Sequence, residues 1–216
     1  MSEREILDNG LAVFISERCR FGRDALLLAR FSGARPRGSL LDIGAGCGIV
    51  SLAMRDAGHI GHITALEINA ESCELIRDAA EHNSLDNYDI VNADLRDYRC
   101  ARKFDAAVCN PPYFKAGAGA ASTDPYADAA RRESACSLDD ILLCARRCLK
   151  ERGTLALCCR PERLAELMAL CKKHSLEPKR LRLVKHEQSG EPPWLALLEA
   201  ALNGGEGLKI EPDIID

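Results

Sequence analysis

The stretch Asn110-Pro111-Pro112-Tyr113 is the part of this chain best equipped to do chemistry. Two successive prolines fix φ and remove two backbone donors, so the carbonyls of the turn remain acceptors. The side-chain oxygen of Asn110 and the carbonyl of Pro111 can then both accept from one planar NH2 group. An exocyclic amine is a poor nucleophile, because its lone pair is delocalised into the ring or carbonyl it is attached to. Acceptors on both hydrogens favour a pyramidal nitrogen that aims its lone pair at an electrophile. The chemistry expected is methylation of an amine by positioning and electrostatics, without a strong general base. Tyr113, with Phe114 beside it, offers a face on which a base can stack, worth roughly 1 to 3 kcal/mol.

A methyl donor needs its own site, and Leu40-Leu41-Asp42-Ile43-Gly44-Ala45-Gly46-Cys47-Gly48 reads as one. Glycines let a loop bend sharply at a strand end and bring its backbone against a ligand, and the helix that follows offers unpaired N–H groups. Gly44, Gly46 and Gly48 alternate with other residues, and Asp42 stands two ahead. That is the pattern of an S-adenosylmethionine loop rather than the G-x-G-x-x-G of dinucleotide sites. Glu67, 19 residues after Gly48, can accept from both hydroxyls of a ribose. Asp94 can accept from the amino group of the cofactor's adenine, with Leu95 packed on the ring. Asp42, Glu67, Asp94 and Asn110 end four consecutive predicted strands, and ligands of open α/β sheets bind beyond the carboxyl ends of the strands.

The elements that position these residues alternate between short apolar runs and helical patterns, which predicts an α/β, doubly wound, mostly parallel seven-stranded sheet with an antiparallel last strand. The predicted strands are 39–43, 62–67, 88–93, 104–109, 154–159 after a turn at Arg152-Gly153, and a closing pair at 180–185 and 194–201. Helices are expected over 47–57, around 75–80, and over 138–149 and 161–174. Residues 3–20 read as a hairpin turning at Asn9-Gly10, followed by a helix from Asp24 to near Gly33. Residues 1–37 are thus expected to cover the cofactor edge within a single domain spanning 1–216. Phe21 and Asp24 flank the start of that helix. For Asp24, ordinary N-capping and a place in the lid over the cofactor both stand.

Composition narrows the class. The formal net charge of −4 is unevenly spread: +2 over residues 1–37, −8 over 38–145, +8 over 146–186 and −6 over 187–216. The basic block is expected to offer a surface for phosphates, together with Arg18, Arg20 and Arg23. Eleven cysteines occur without a C-x-x-C pair, many inside apolar segments, which predicts buried thiols rather than a disulfide framework or a metal site. No apolar run reaches membrane-spanning length and the start Met1-Ser2-Glu3-Arg4-Glu5 lacks a signal pattern, so a cytoplasmic protein is expected.

The motifs from Asp42 to Gly48, at Glu67 and Asp94, and from Asn110 to Tyr113 resemble the class I S-adenosylmethionine-dependent amino-methyltransferases. Phe21-Gly22 with Asp24-Ala25-Leu26-Leu27, Asn-Pro-Pro-Tyr-Phe ending at Phe114, Ala130-Arg131-Arg132-Glu133 and Gly204-Gly205-Glu206-Gly207-Leu208-Lys209-Ile210 are similar to the bacterial tRNA (adenine-N6)-methyltransferases of valine tRNA. The resemblance implies S-adenosylmethionine as cofactor, tRNA as partner, no metal, a target base between Asn110 and Tyr113, and a loop 115–124 closing over it. Arg131 and Glu133 are expected to anchor that loop, with Arg131 on the substrate side. The family pattern has a glutamine where Ser16 stands, and a tail longer than one ending at Asp216, differences expected to bear on substrate docking. A protein glutamine side chain is the alternative acceptor, and a non-catalytic cofactor- and RNA-binding adaptor is a third reading. A nicotinamide-dependent dehydrogenase does not fit the glycine spacing.

Overall fold

A computed structural model describes residues 3–111, 136–187 and 190–216. Seven long strands form one sheet in the order β8-β9-β7-β6-β3-β4-β5. In chain order they are β3 (Leu40–Ile43), β4 (Ile63–Glu67), β5 (Tyr88–Asn92), β6 (Phe104–Cys109), β7 (Leu149–Cys159), β8 (Leu176–Lys185) and β9 (Leu195–Leu202). β3 to β7 run parallel, and β9 is antiparallel to both of its neighbours, β7 and β8. The expected antiparallel strand, last of the seven in the chain, therefore lies inside the sheet. Two further short strands, β10 (Lys209–Ile210) and β11 (Ile214–Ile215), pair parallel with the outer side of β8 and were not anticipated from sequence.

Helices cover both faces, as buried parallel strands require. On one side α1 (Arg23–Phe31), α2 (Ile49–Asp56) and α3 (Ala70–His82) share an apolar cluster with Leu40, Ile63 and Val108. On the other, α4 (Leu138–Cys148) and α5 (Leu164–Lys173, after a 3-10 turn at Pro161–Arg163) pack on Leu41, Ile43 and Leu155. Alternate residues of one strand thus serve opposite layers. The strands β1 (Glu3–Ile6) and β2 (Ala12–Ile15) form the expected hairpin outside the main sheet. Asp56 at the end of α2 accepts from the backbone of Asn9 and Leu11, and Asn83 bonds Ala12 in both directions, so the hairpin is anchored by polar contacts as well as by Val13 and Ile15.

The turn expected at Arg152-Gly153 is a bulge within β7. Phe104 pairs with Leu149 but Ala106 pairs with Thr154, and Arg152 takes the left-handed conformation (φ 60°). A Cβ on Gly153 would meet the carbonyl oxygen of Lys150 at 2.9 Å and that of Phe104 at 3.1 Å, so the strand stays paired across the bulge only with glycine there.

Part of the basic block 146–186, expected as a phosphate surface, is paired with carboxylates. Arg180 binds Glu199 (3.0 Å) and Glu211 (2.9 Å), Arg182 binds Glu211 (2.6 Å), Lys185 binds Asp213 (2.6 Å) and Lys150 binds Asp105 (2.8 Å). Folding lays the acidic tail along β8, and block charges of opposite sign that are separate in sequence become neighbours. The eight buried cysteines fit the expectation of thiols acting as small apolar groups, and none of the eleven is joined in a disulfide among the described residues. Among the described residues, no helix is long and apolar enough to cross a membrane.

Candidate active site at the switch point of the sheet

The chain order reverses between β3 and β6: β4 and β5 extend one way from β3, and β6 and β7 lie the other way. The loops leaving β3 and β6 therefore part from each other and leave a crevice at their carboxyl ends. A cavity of about 570 Å³ opens there, within the roughly 300 to 1,000 Å³ typical of small-ligand sites. It brings together Gly44, Gly46, Glu67, Asp94 and Leu95. Phe21, Asp24, Asn110 and Pro111 line it as well.

The glycine loop takes the conformation its residues allow. Gly44, Gly46 and Gly48 all have positive φ, at 68°, 57° and 78°. A Cβ on Gly44 would point into open space, so the backbone there is accessible to a ligand. Glu67 holds the loop from β4: its Oε2 accepts the Gly46 N–H and its Oε1 the Asn69 N–H, both at 2.8 Å. Each carboxylate oxygen has more than one acceptor site, so these bonds orient Glu67 without exhausting it.

Asp42 and Gly48, expected on the cofactor, lie beneath the loop rather than along the cavity. Asp42 is buried and accepts from the Ser51 hydroxyl (2.5 Å) and N–H (3.2 Å), and that hydroxyl lies 2.6 Å from the Tyr88 hydroxyl. Burial first, against the Ser51 bonds, raises its pKa to about 6. The strand carries Asp42 towards the first turn of α2, where it ties the helix to the sheet. Gly48 caps α2, and a Cβ there would meet Ile76 and the Tyr88 hydroxyl at 3.2 Å.

Asp94 faces the cavity but is gripped by its neighbour: Arg96 donates from its backbone (2.8 Å) and its guanidinium (3.0 Å from Nε), which holds the carboxyl below its usual range. Asn110 is oriented by Asp24, whose Oδ2 accepts from Nδ2 at 2.9 Å. Asp24 is thus no side-chain cap: the N-cap of α1 is Gly22, without a side-chain bond. Tyr113, Phe114, Arg131 and the loop 115–124 lie outside the described residues.

Sequence reasoning missed Cys19, Ile68 and Cys136 on the cavity wall. Ile68 is 54 % exposed immediately after Glu67, and an apolar side chain left in the open at a strand end was a signal that could have been read. Cys19 accepts from the Ser72 hydroxyl (3.4 Å), and hydrogen bonding from Cys47, then Ser72, lowers its pKa to about 7 against burial. Cys158 was likewise missed: its Sγ lies 2.9 Å from Asn110 Oδ1. Nothing in sequence marks it, because the contact depends on β7 lying beside β6.

The family model described as the methyltransferase small domain matches residues 6–169. A tRNA1(Val) (adenine(37)-N6)-methyltransferase from Porphyromonas gingivalis is 30% identical over 183 residues, covering 80% of this chain and 71% of that protein. Among solved structures, a predicted O-methyltransferase from Agrobacterium tumefaciens superposes with a TM-score of 0.66 at 23% identity, over 89% of this chain and 86% of that one. The 16S rRNA N2 G1207 methyltransferase of T. thermophilus, in complex with AdoMet and guanosine, superposes with a TM-score of 0.62 at 19% identity, over 93% of this chain and 50% of that one.

Proposed function

The chain belongs to the methyltransferase small domain family, among the class I S-adenosylmethionine-dependent methyltransferases, and from that premise we propose that it methylates the exocyclic N6 amine of an adenine in tRNA. The observation that carries this reading is the meeting of Asn110 and Pro111 with the glycine loop and Glu67 around one cavity. The glycine loop and Glu67 suit a nucleoside cofactor, Asn110 and Pro111 an amine.

The residues present fit the cofactor. Open space at Gly44 allows close backbone approach, Glu67 is set for hydroxyl groups, and Ile68 and Leu95 give apolar walls for a flat ring. S-adenosylmethionine supplies an electrophilic methyl group when bound. The protein's part is to hold the amine. Asn110 Oδ1 and the Pro111 carbonyl accept its two hydrogens and draw it out of conjugation, and the buried Pro111 keeps that corner rigid. Because these acceptors matter most as the nitrogen turns pyramidal, they act on turnover more than on binding. In the family's pattern Tyr113 would stack on the base.

The names of the relatives favour tRNA, and arginines beside the cavity would meet its phosphates. Arg180 and Arg182 of block 146–186 pair with the buried carboxylates of Glu199 and Glu211, whereas Arg18 and Arg20, which line the cavity, pair with the exposed carboxylates of Glu71 and Glu3. Exposed pairs are worth about 0 to 1 kcal/mol, little enough to be exchanged for a phosphate.

The test is incubation with labelled S-adenosylmethionine and total bacterial tRNA, followed by digestion to nucleosides. N6-methyladenosine carrying the label is expected. In a parallel incubation with bacterial protein extract, label confined to protein glutamine would replace this reading with the alternative acceptor, and label in neither would refute both.

A further inference from the structure

Asn110 is held from two sides, by partners that lie outside its own turn. Its Nδ2 donates to Asp24 Oδ2 at 2.9 Å, and its Oδ1 accepts from the Cys158 thiol at 2.9 Å. Rotating the amide by half a turn would set its oxygen against the carboxylate, acceptor against acceptor. Both contacts select the same orientation. They come from elements remote in the chain, the first turn of α1 and the carboxyl end of β7, which the fold brings to the end of β6.

The neighbourhood of Asp24 is shaped for this contact. A Cβ on Gly22 would lie 2.4 Å from Asp24 Oδ1, although Gly22 has an ordinary φ of −108°. Glycine at 22 is therefore a matter of room for the carboxylate and not of backbone conformation. An aspartate in a first helical turn gains from the helix dipole wherever it points, which leaves its direction towards Asn110 unexplained by the helix alone.

We propose that Asp24 is a positioning residue for methyl transfer: its carboxylate fixes the Asn110 amide with Oδ1 as the end presented to the amine, and polarises it. A charged acceptor on Nδ2–H draws electron density towards Oδ1 and strengthens it as an acceptor. Cys158 supports the same orientation from β7. The inference rests on the amine-methylation reading above, and assigns Asp24 to the acceptor half of the site rather than to the cofactor.

Asp24→Asn tests it, since an amide of equal size can meet Asn110 through either end and no longer selects one. In steady-state assays with tRNA and labelled S-adenosylmethionine, kcat should fall about 10- to 100-fold while the calorimetric Kd for S-adenosylmethionine stays within about threefold. Introduced into Asn110→Ala, the same change should cost less than about twofold more, because a residue acting through Asn110 has nothing left to act on. Full multiplication of the two losses, or a weakened cofactor Kd with kcat intact, would overturn the proposal. A readout without activity separates it from the substrate reading: the side-chain 15N amide signal of Asn110, identified by its loss in Asn110→Ala, should move in Asp24→Asn. An unmoved signal refutes the contact. If the wild-type protein leaves tRNA unlabelled, the substrate reading fails, and the spectrum still decides on Asp24.

Discussion

Glu67, the last residue of β4, accepts the backbone N–H of Gly46 at 2.8 Å and so ties the glycine loop of β3 to the neighbouring strand. Its other oxygen takes the Asn69 N–H at the start of α3. One carboxylate thus sets the shape of the loop and faces the cavity. Glu67→Ala removes an acceptor from both N–H groups and from the ligand. Each charge-assisted bond lost is worth about 1.5 to 3 kcal/mol, so the affinity for S-adenosylmethionine should fall about 10- to 100-fold. Glu67→Gln keeps one oxygen and should fall between. Titration calorimetry giving wild-type affinity for Glu67→Ala would remove this residue from the cofactor site.

Gly44 and Gly48 have similar backbones and different surroundings, so alanine should separate them. Both substitutions strain a positive φ, at about 1 to 2 kcal/mol. Gly48→Ala also drives a methyl group to 3.2 Å from Ile76 and the Tyr88 hydroxyl and 3.3 Å from Leu52, so chemical denaturation should show a loss of about 2 to 4 kcal/mol in all. Gly44→Ala meets open space, and its damage should appear mainly in cofactor affinity. Equal stability losses in the two variants would contradict this division.

Asp42 gives a stability signal with a definite sign. Its folded pKa is raised by burial from 3.8 to about 6. Between those values the folded chain holds a proton that the unfolded chain has released, so stability falls as pH rises through the window. It is constant above, with a total change of about 3 kcal/mol. Asp105, held down to about 2 chiefly by Lys150, acts in the opposite sense at lower pH, so the comparison is best made against Asp42→Asn. From pH 4 to pH 7 the wild-type protein should lose about 2 kcal/mol of that total relative to the variant. Parallel curves would mean that Asp42 is ionised throughout.

Glu199 is buried in β9 and bonds both Arg180 (3.0 Å) and the Gly33 N–H beyond α1 (2.7 Å). Arg180 in turn lies over the Phe31 ring at 4.6 Å. Glu199→Ala leaves that N–H without its acceptor and Arg180 with Glu211 as remaining anion. A loss of about 1 to 3 kcal/mol is expected in urea denaturation, with cofactor affinity unchanged. A larger effect on affinity than on stability would place this network in the site rather than in the frame.

Much of the frame was legible because local pattern decides it. β6 spans Phe104–Cys109 as read, and β3, β4 and β5 agree within a residue at each end, since short apolar runs bounded by turn residues have little else to form. β7 and β8 began earlier than read, at Leu149 and Leu176. A bulge hid the first, and Pro178 beside a register shift hid the second. Charge misled more than hydrophobicity did. The basic run of 146–186 looked like a surface for phosphates, but the acids that pair with its β8 members Arg180, Arg182 and Lys185 come from β9 and the tail, distances in sequence that only pairing along β8 closes.

For the site, the sequence by itself determined the residue types and their places at strand ends: the three glycines, Glu67, Asp94 and the Asn110-Pro111 corner. These follow from backbone constraints that each residue carries with it, φ freedom in glycine and φ restriction in proline. The tertiary structure alone decided which side chains turn inward. It sent Asp42 under the loop to Ser51, closed Arg96 on Asp94, and set Asp24 and Cys158 on either end of the Asn110 amide. Hydrogen bonds act over about 3 Å, and no reading along the chain can tell which groups the sheet order will bring within that reach.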